Sequence, residues 1–222
     1  MPEKLRMRFS KTGRAIWLSH LDLMRTMQRA FLRADYPLKY SEGFNPHAQI
    51  SILLPLSVGV SSECELMDFQ LKEDVDLSLL PARLSSVMPE GIAVLEAYLS
   101  ETKAKYLKWL RITGRLEYDH RDASAMAEEL TAFYKRPEII ITRKTKRGEG
   151  EMDIVPAIRD ISFSMDNEGK FVQLGAVISA QEPTLNPDHL IAALRQLAPE
   201  IAPDFAAFTR RQVYLENGEV FR

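Results

Sequence analysis

Three arginines recur at every fourth position: Arg25, Arg29 and Arg33. On an α-helix that spacing puts three guanidinium groups along one line, about 6 Å apart per step from the helical rise. A guanidinium grips phosphate through two parallel N–H donors, so such a row suits a nucleic-acid backbone. The plainer reading of the same row is a solvated helix face. A second basic cluster, Arg143, Lys144, Lys146 and Arg147 around Thr145, runs into the turn Gly148-Glu149-Gly150. Four cations in five positions at a hairpin tip resemble a finger that tracks a phosphate backbone. They also suit a solubilising tip.

Proton-transfer chemistry has fewer candidates. Of the four histidines, His20 and His47 are the ones a fold could bring together as acid–base groups. The catalytic residues otherwise stay unassigned. No histidine spacing resembles a metal motif. Cys64 is the single cysteine, too few for an internal disulfide, an iron–sulfur cluster held by this chain or a cysteine-based zinc site. No metal and no cofactor is therefore assigned to the chain. Ser19 and Asp22 form an S-x-x-D helix start, so Ser19 reads as a cap and not as a nucleophile.

One loop stands out for its density of special residues. In YSEGFNPHAQISILLPLSVG, residues 40–59, Gly43 and Asn45 accept positive φ and Pro46 fixes the exit. Ser41, Glu42 and His47 add polar groups, and Pro55 and Gly59 bracket a further turn. The stretch reads as a preformed pocket wall beside the first helix; the alternative is an elaborate hairpin.

These residues need elements to hold them. A chain of 222 residues with 45% hydrophobic and 27% charged content is long enough for one large domain or two small ones. No apolar run reaches the length of a membrane span. The opening MPEKLRMRF lacks a signal peptide's apolar core, so the expectation is a cytoplasmic protein with no membrane contact. Net charge is −2, but residues 1–50 carry nine Lys/Arg against four Asp/Glu, and residues 61–102 carry two against nine. That segregation predicts one basic face on a mildly acidic molecule.

Alternation predicts a strand over residues 5–9. The stripe Leu23, Met24, Met27, Ala30, Phe31 and Ala34 predicts a helix over 19–34. Strands at 50–54 and 66–71, a helix over 76–88 and a strand at 92–98 complete a β-α-β-β-α-β order. The second half reads as a strand at 107–118, a helix at 123–135, strands at 138–144, 158–165 and 171–180, a helix at 187–197 and a strand at 206–215. The fold class is thus α+β, as two tandem ferredoxin-like (βαββαβ) units with antiparallel sheets, spanning residues 1–102 and 103–222. On the first strand, Arg6 and Arg8 alternate to the face away from the helices and would make it basic.

The strings FSKTGRAIWLSHLDLMRTMQRA and YSEGFNPHAQISILLPLSVGV resemble the bacterial radical SAM-linked (radical SAM-associated) protein family, a domain of unknown function. That resemblance implies a partnership with a radical SAM protein that carries a B12-binding domain. The chain has no C-x-x-x-C-x-x-C, so any radical chemistry would belong to the partner. Ser41, Glu42, Gly43, Asn45, Pro46 and His47 match as motif positions, with no catalytic role to carry over. A weaker resemblance, at the level of architecture, is to the CRISPR repeat-associated (RAMP) RNA-binding proteins, although RRQVYLENGEVFR lacks their glycine-rich loop. The expectation is a non-catalytic RNA-binding accessory protein serving tRNA or rRNA modification. The alternatives are a docking module for the enzyme without RNA contact, and a metal-independent endoribonuclease.

Overall fold

The computed structural model describes residues 4–145 and 148–222; Lys146 and Arg147 of the basic finger lie outside the described residues. The chain is a mixed α+β protein of two compact units, Met1–Tyr106 with Arg222, and Leu107–Phe221. The boundary falls where the long strand of the second unit begins.

The first unit runs β1 (Leu5–Lys11), a 3-10 turn (Gly13–Trp17), α1 (His20–Arg33), β2 (Ile50–Ile52), β3 (Ser61–Phe69), α2 (Leu80–Ser85) and β4 (Ile92–Leu99). Its strands lie in the order β4-β1-β3-β2, and every pairing is antiparallel. The core is the apolar stripe of α1 against one sheet face. Leu23, Met27, Ala30 and Phe31 meet Met7, Phe9, Met67 and Phe69, and Leu80 and Leu84 of α2 close the cluster. Phe31 and Phe69 pack with centroids 5.1 Å apart. Ser19 caps α1 by accepting from the Asp22 N–H, as its sequence position predicts.

Helix α2 is shorter than the predicted 76–88. The Asp76 carboxylate accepts from the N–H and hydroxyl of Ser78, 2.9 and 2.6 Å, which turns the chain before the helix. The helix starts only at Leu80, with Pro81 inside its first turn, where a proline costs no hydrogen bond.

The second unit runs β5 (Leu107–Glu117), α3 (Ala123–Phe133), β6 (Ile140–Thr145), β7 (Gly148–Asp153), β8 (Ile158–Met165), β9 (Val172–Ser179), α4 (Pro187–Leu197) and β10 (Phe205–Leu215). Its sheet has the order β10-β5-β9-β8, again antiparallel at every pairing. Sequence pattern alone puts residues 138–144 among the main strands. Instead β6 pairs with β7 in a separate two-stranded ribbon, and β8 takes the sheet edge. Gln196 of α4 accepts from the Thr142 N–H at 2.8 Å and donates to the Thr142 carbonyl at 2.9 Å, so the ribbon leans on α4. Tyr134 ties the helices together by donating its hydroxyl to the Leu190 carbonyl at 2.7 Å.

Candidate nucleic-acid interface

The basic sheet face expected from Arg6 and Arg8 does not exist in that form. The register sets Arg6 opposite Asp68 and Arg8 opposite Glu96. Arg6 is fully buried and holds Asp68 with two bonds, Nε to Oδ1 at 2.6 Å and Nη2 to Oδ2 at 3.1 Å. Arg8 donates to Glu96 at 2.6 Å, and Arg222 reaches the other oxygen of Glu96 at 2.8 Å. Part of the basic excess of residues 1–50 is thus neutralised by the acidic excess of residues 61–102, across neighbouring strands.

Helix α1 keeps its cations in solvent. Arg25, Arg29 and Arg33 are all exposed, on the side opposite the buried stripe. Arg25 makes a long ion pair with Asp22, 3.5 Å, between two exposed groups. Such pairs are weak and yield readily to a competing anion. Arg33 donates to the Val87 carbonyl at 2.7 Å, which fixes one end of the row and leaves its formal charge unneutralised. Arg29 has no hydrogen bond or ion pair among the described residues. Just before the helix, Trp17 is 69% exposed, and Leu21 in the first turn is 65% exposed.

The loop of residues 40–59 splits into two parts with different neighbours. Its second part packs against the 3-10 turn that precedes α1. The Gly59 N–H donates to the Ile16 carbonyl at 2.9 Å, and a Cβ at Gly59 would lie 3.4 Å from the Trp17 ring. Gly59 has φ +86°, so glycine serves both the turn and the close approach. The first part is a hairpin on the segment that follows the other end of α1. Tyr40 bridges Ala48, and the Ser41 N–H donates to the His47 carbonyl at 2.9 Å. Ser41 Oγ accepts from the His47 N–H at 3.1 Å and lies 2.9 Å from His47 Nδ1. Those bonds close the loop and leave Nε2 as the outward ring nitrogen. Gly43, at φ +116°, makes the tip, and Phe44 beside it is completely exposed. Glu42, Asn45 and Pro46 are exposed too.

His20 opens α1, whereas His47 closes the hairpin hung beyond its far end. A 14-residue helix is about 21 Å long. No hydrogen bond joins the two histidines among the described residues, and both are exposed. Among the same residues, no group of three or more His, Cys, Asp or Glu side chains is placed to hold a metal ion. Cys64 is buried.

On the ribbon, Arg143 is half-buried and Lys144 exposed. The ladder sets Lys144 opposite Glu149 and Arg143 opposite Gly150, with Glu151 facing Thr142. The finger therefore carries acid on its return strand, and its positive field is weaker than its sequence alone predicts. Burial first, then the Arg143 charge, lowers the pKa of His189 of α4, while Asp188 opposes them. His189 serves the helix: its Nδ1 accepts from the Asn186 N–H, completing a capping box.

The residues that the sequence pattern passed over are Trp17, Leu21 and Phe44. Apolar side chains read as core by default, and only the fold shows these three turned outward. A trace was present for Phe44, since it sits between two turn formers, where a core residue is out of place.

No curated protein matches the chain. A family model matches residues 4–187, a span that takes in α1, the whole 40–59 loop, the ribbon and the sheet up to β9. On that match, which covers most of its length and each of the sites described above, the chain belongs to a family described as an uncharacterized protein conserved in bacteria (DUF2344).

Proposed function

We propose that the protein is a non-catalytic RNA-binding accessory protein that works with a B12-binding radical SAM enzyme in the modification of tRNA or rRNA. The observation that carries the RNA part is the α1 row. Arg25, Arg29 and Arg33 stay in solvent on a helix whose other face is core, while Arg6 and Arg8 are engaged by carboxylates. Exposed aromatic rings at Trp17 and Phe44 add surfaces on which unpaired bases stack. The enzyme partnership rests on the resemblance of FSKTGRAIWLSHLDLMRTMQRA and YSEGFNPHAQISILLPLSVGV to the radical SAM-linked family. In each unit the first strand lies between the fourth and third main-sheet strands, with the second at the edge. That order supports reading both as ferredoxin-like units, the second with the ribbon inserted.

The test is fluorescence-polarisation binding of total tRNA and of rRNA fragments at several salt concentrations, for wild type and for Arg25/Arg29/Arg33→Ala. Each phosphate that the protein no longer neutralises flattens the log–log salt dependence by about 0.7 to 0.9. Salt-sensitive binding whose slope falls by about 2 in the variant is expected. Undetectable or salt-insensitive binding by wild type refutes the RNA reading.

A second reading, docking of the enzyme without RNA contact, is favoured by one observation. Phe44 stands wholly in water on a hairpin that Ser41 and His47 hold shut. Loss of co-purification with the enzyme on Asn45→Ala, with the fold unchanged, supports it; unaltered co-purification counts against it.

A further inference from the structure

The face of the second unit's sheet that turns away from its buried residues carries a trough of about 490 Å³, within the size range of ligand sites. Its construction is regular. One row across the four strands is Thr209, Thr113, Gly175 and Ser162, paired in that order by the ladder. The next is Ala207, Arg115, Gln173 and Ser164. Small side chains open the trough, and hydroxyl, amide and guanidinium groups line it. Arg211 adds a second guanidinium, and no carboxylate is among the lining residues. Glu117 lies at the rim and pairs with Arg115 at 2.8 Å, with both groups substantially exposed. The Arg115 guanidinium lies 4.5 Å from the centroid of Phe171, so the ring orients the cation.

We infer that this trough is a second binding site, for an extended single-stranded segment of RNA. The inference rests on the proposed RNA function for the identity of its ligand, and adds a place of contact remote in sequence from α1. The chemistry of the lining selects the occupant. Thr, Ser and Gln donate to phosphate and ribose oxygens, the guanidinium groups of Arg115 and of Arg211, which donates to Thr113 at 2.9 Å, add N–H donors, and no acid is among the lining residues to repel the backbone. The plane of Arg115, stacked on Phe171, gives an unpaired base a surface to stack on. A peptide is less suited. β5 and β9 are central strands whose backbone groups are bonded to their neighbours, so no strand can be added there.

Gly175 makes the room. A Cβ there would sit 3.1 Å from Ser162 Oγ, so any larger side chain enters the trough. The test uses the full chain and a fluorescein-labelled oligouridylate of about 12 nucleotides, within the site sizes of single-strand binders, with total tRNA in parallel. Gly175→Val, a β-branched residue suited to a strand, and Arg115→Gln are compared with wild type after thermal melts show that both fold. Weakening of oligonucleotide binding by tenfold or more in Gly175→Val, and several-fold in Arg115→Gln, is expected. Photocrosslinking of a 4-thiouridine oligonucleotide to wild type, read by mass spectrometry, is expected to mark residues 113–115 or 171–175 and does not depend on a variant folding. Unchanged affinity in both variants, or crosslinks confined to α1, overturns the inference and leaves the RNA function standing. Binding of tRNA without binding of the oligonucleotide does the same. Binding of neither overturns both. Equal affinity for an uncharged polar decapeptide overturns the assignment to nucleic acid.

Discussion

Removing the Asp68 carboxylate tests whether the basic excess of the first fifty residues is consumed inside the sheet. Arg6 is fully buried and is held by Asp68 at 2.6 and 3.1 Å, whereas the Arg8–Glu96 pair is about one-third exposed on both sides. Breaking a buried ion pair at one partner costs about 3–5 kcal/mol, because the remaining charge keeps its desolvation penalty. The Asp68 side chain is 15% exposed, which favours the lower end, about 3 kcal/mol. A partly exposed pair contributes about 0.5–1 kcal/mol. For a chain of this length 1 kcal/mol moves the melting temperature by roughly 2–4 °C. Asp68→Ala is thus expected to lower it by about 6–12 °C, and Glu96→Ala by about 1–4 °C. Calorimetry on the two variants, with urea titrations to verify that the slope is unchanged, measures both. The double variant Arg6→Met/Asp68→Leu removes both charges, replaces them with apolar volume and is expected to regain most of the loss. Equal shifts for Asp68→Ala and Glu96→Ala, or a double variant no better than Asp68→Ala, would refute the reasoning that Arg6 is a neutralised structural cation.

Two further outcomes follow from single residues. Phe44 is wholly exposed, so Phe44→Ala and Phe44→Leu are expected to leave the melting temperature within about 2 °C of wild type. If the ring stacks on a base, both weaken RNA binding alike, by about 1–3 kcal/mol; if it fills an apolar socket on a protein, Leu retains most of the docking that Ala loses, and no effect of either on any partner removes the loop from both sites. Tyr118 is pushed up to about 12 by burial first, with Asp204 and Glu129 raising it further against the opposing Arg121 charge; its hydroxyl donates to the Ile201 carbonyl at 3.0 Å. A raised folded pKa means stability fully present below the unfolded value, near 10, and lost as pH rises towards about 12. Alkaline denaturation is therefore expected to shift to higher pH in Tyr118→Phe, and an unchanged alkaline limb would show that this hydroxyl ionises as in the unfolded chain.

The sequence made most of the first unit legible, because its signals are local and agree with one another. Ser19 and Asp22 mark the start of α1, and its stripe names most of the buried residues. Sequence reasoning failed where a side chain from elsewhere in the chain, or a local competitor, decided the outcome. An Asp76–Ser78 turn precedes α2, which starts only at Leu80, and Gln196, 54 residues from Thr142, holds β6 against α4. Periodicity cannot register either bond. The candidate site divides in the same way. Exposure of Arg25, Arg29 and Arg33 follows from spacing on one helix. The neutralisation of Arg6 by Asp68, and the placing of Glu149 opposite Lys144, depend on strand register, which pairs residues far apart or across a turn. The trough was hidden for a further reason. Thr113, Ser162, Gly175 and Thr209 look unremarkable in four separate strands, and only the ladder makes them one row.

The same register argument decides which cations can meet a partner. A count of charge along the chain treats Arg6, Arg8, Arg25, Arg29 and Arg33 as equals, yet the first two already face carboxylates across the sheet and the last three do not. A phosphate approaching Arg6 would have to displace a buried bidentate carboxylate and then lie in the space it left. One approaching Arg29 displaces only water, and one approaching Arg25 breaks a solvent-screened pair. The hairpin adds an apolar group under the opposite condition. Burying a phenylalanine contributes about 1.5–3 kcal/mol to folding. Phe44 forgoes that contribution while its loop is held closed by three bonds between Ser41 and His47. A ring kept in water on a pre-ordered loop loses little further freedom when a partner covers it, so most of its burial energy is available to binding. Folding leaves both the α1 row and Phe44 unsatisfied, and these are the groups whose free energy an incoming RNA or protein surface can recover.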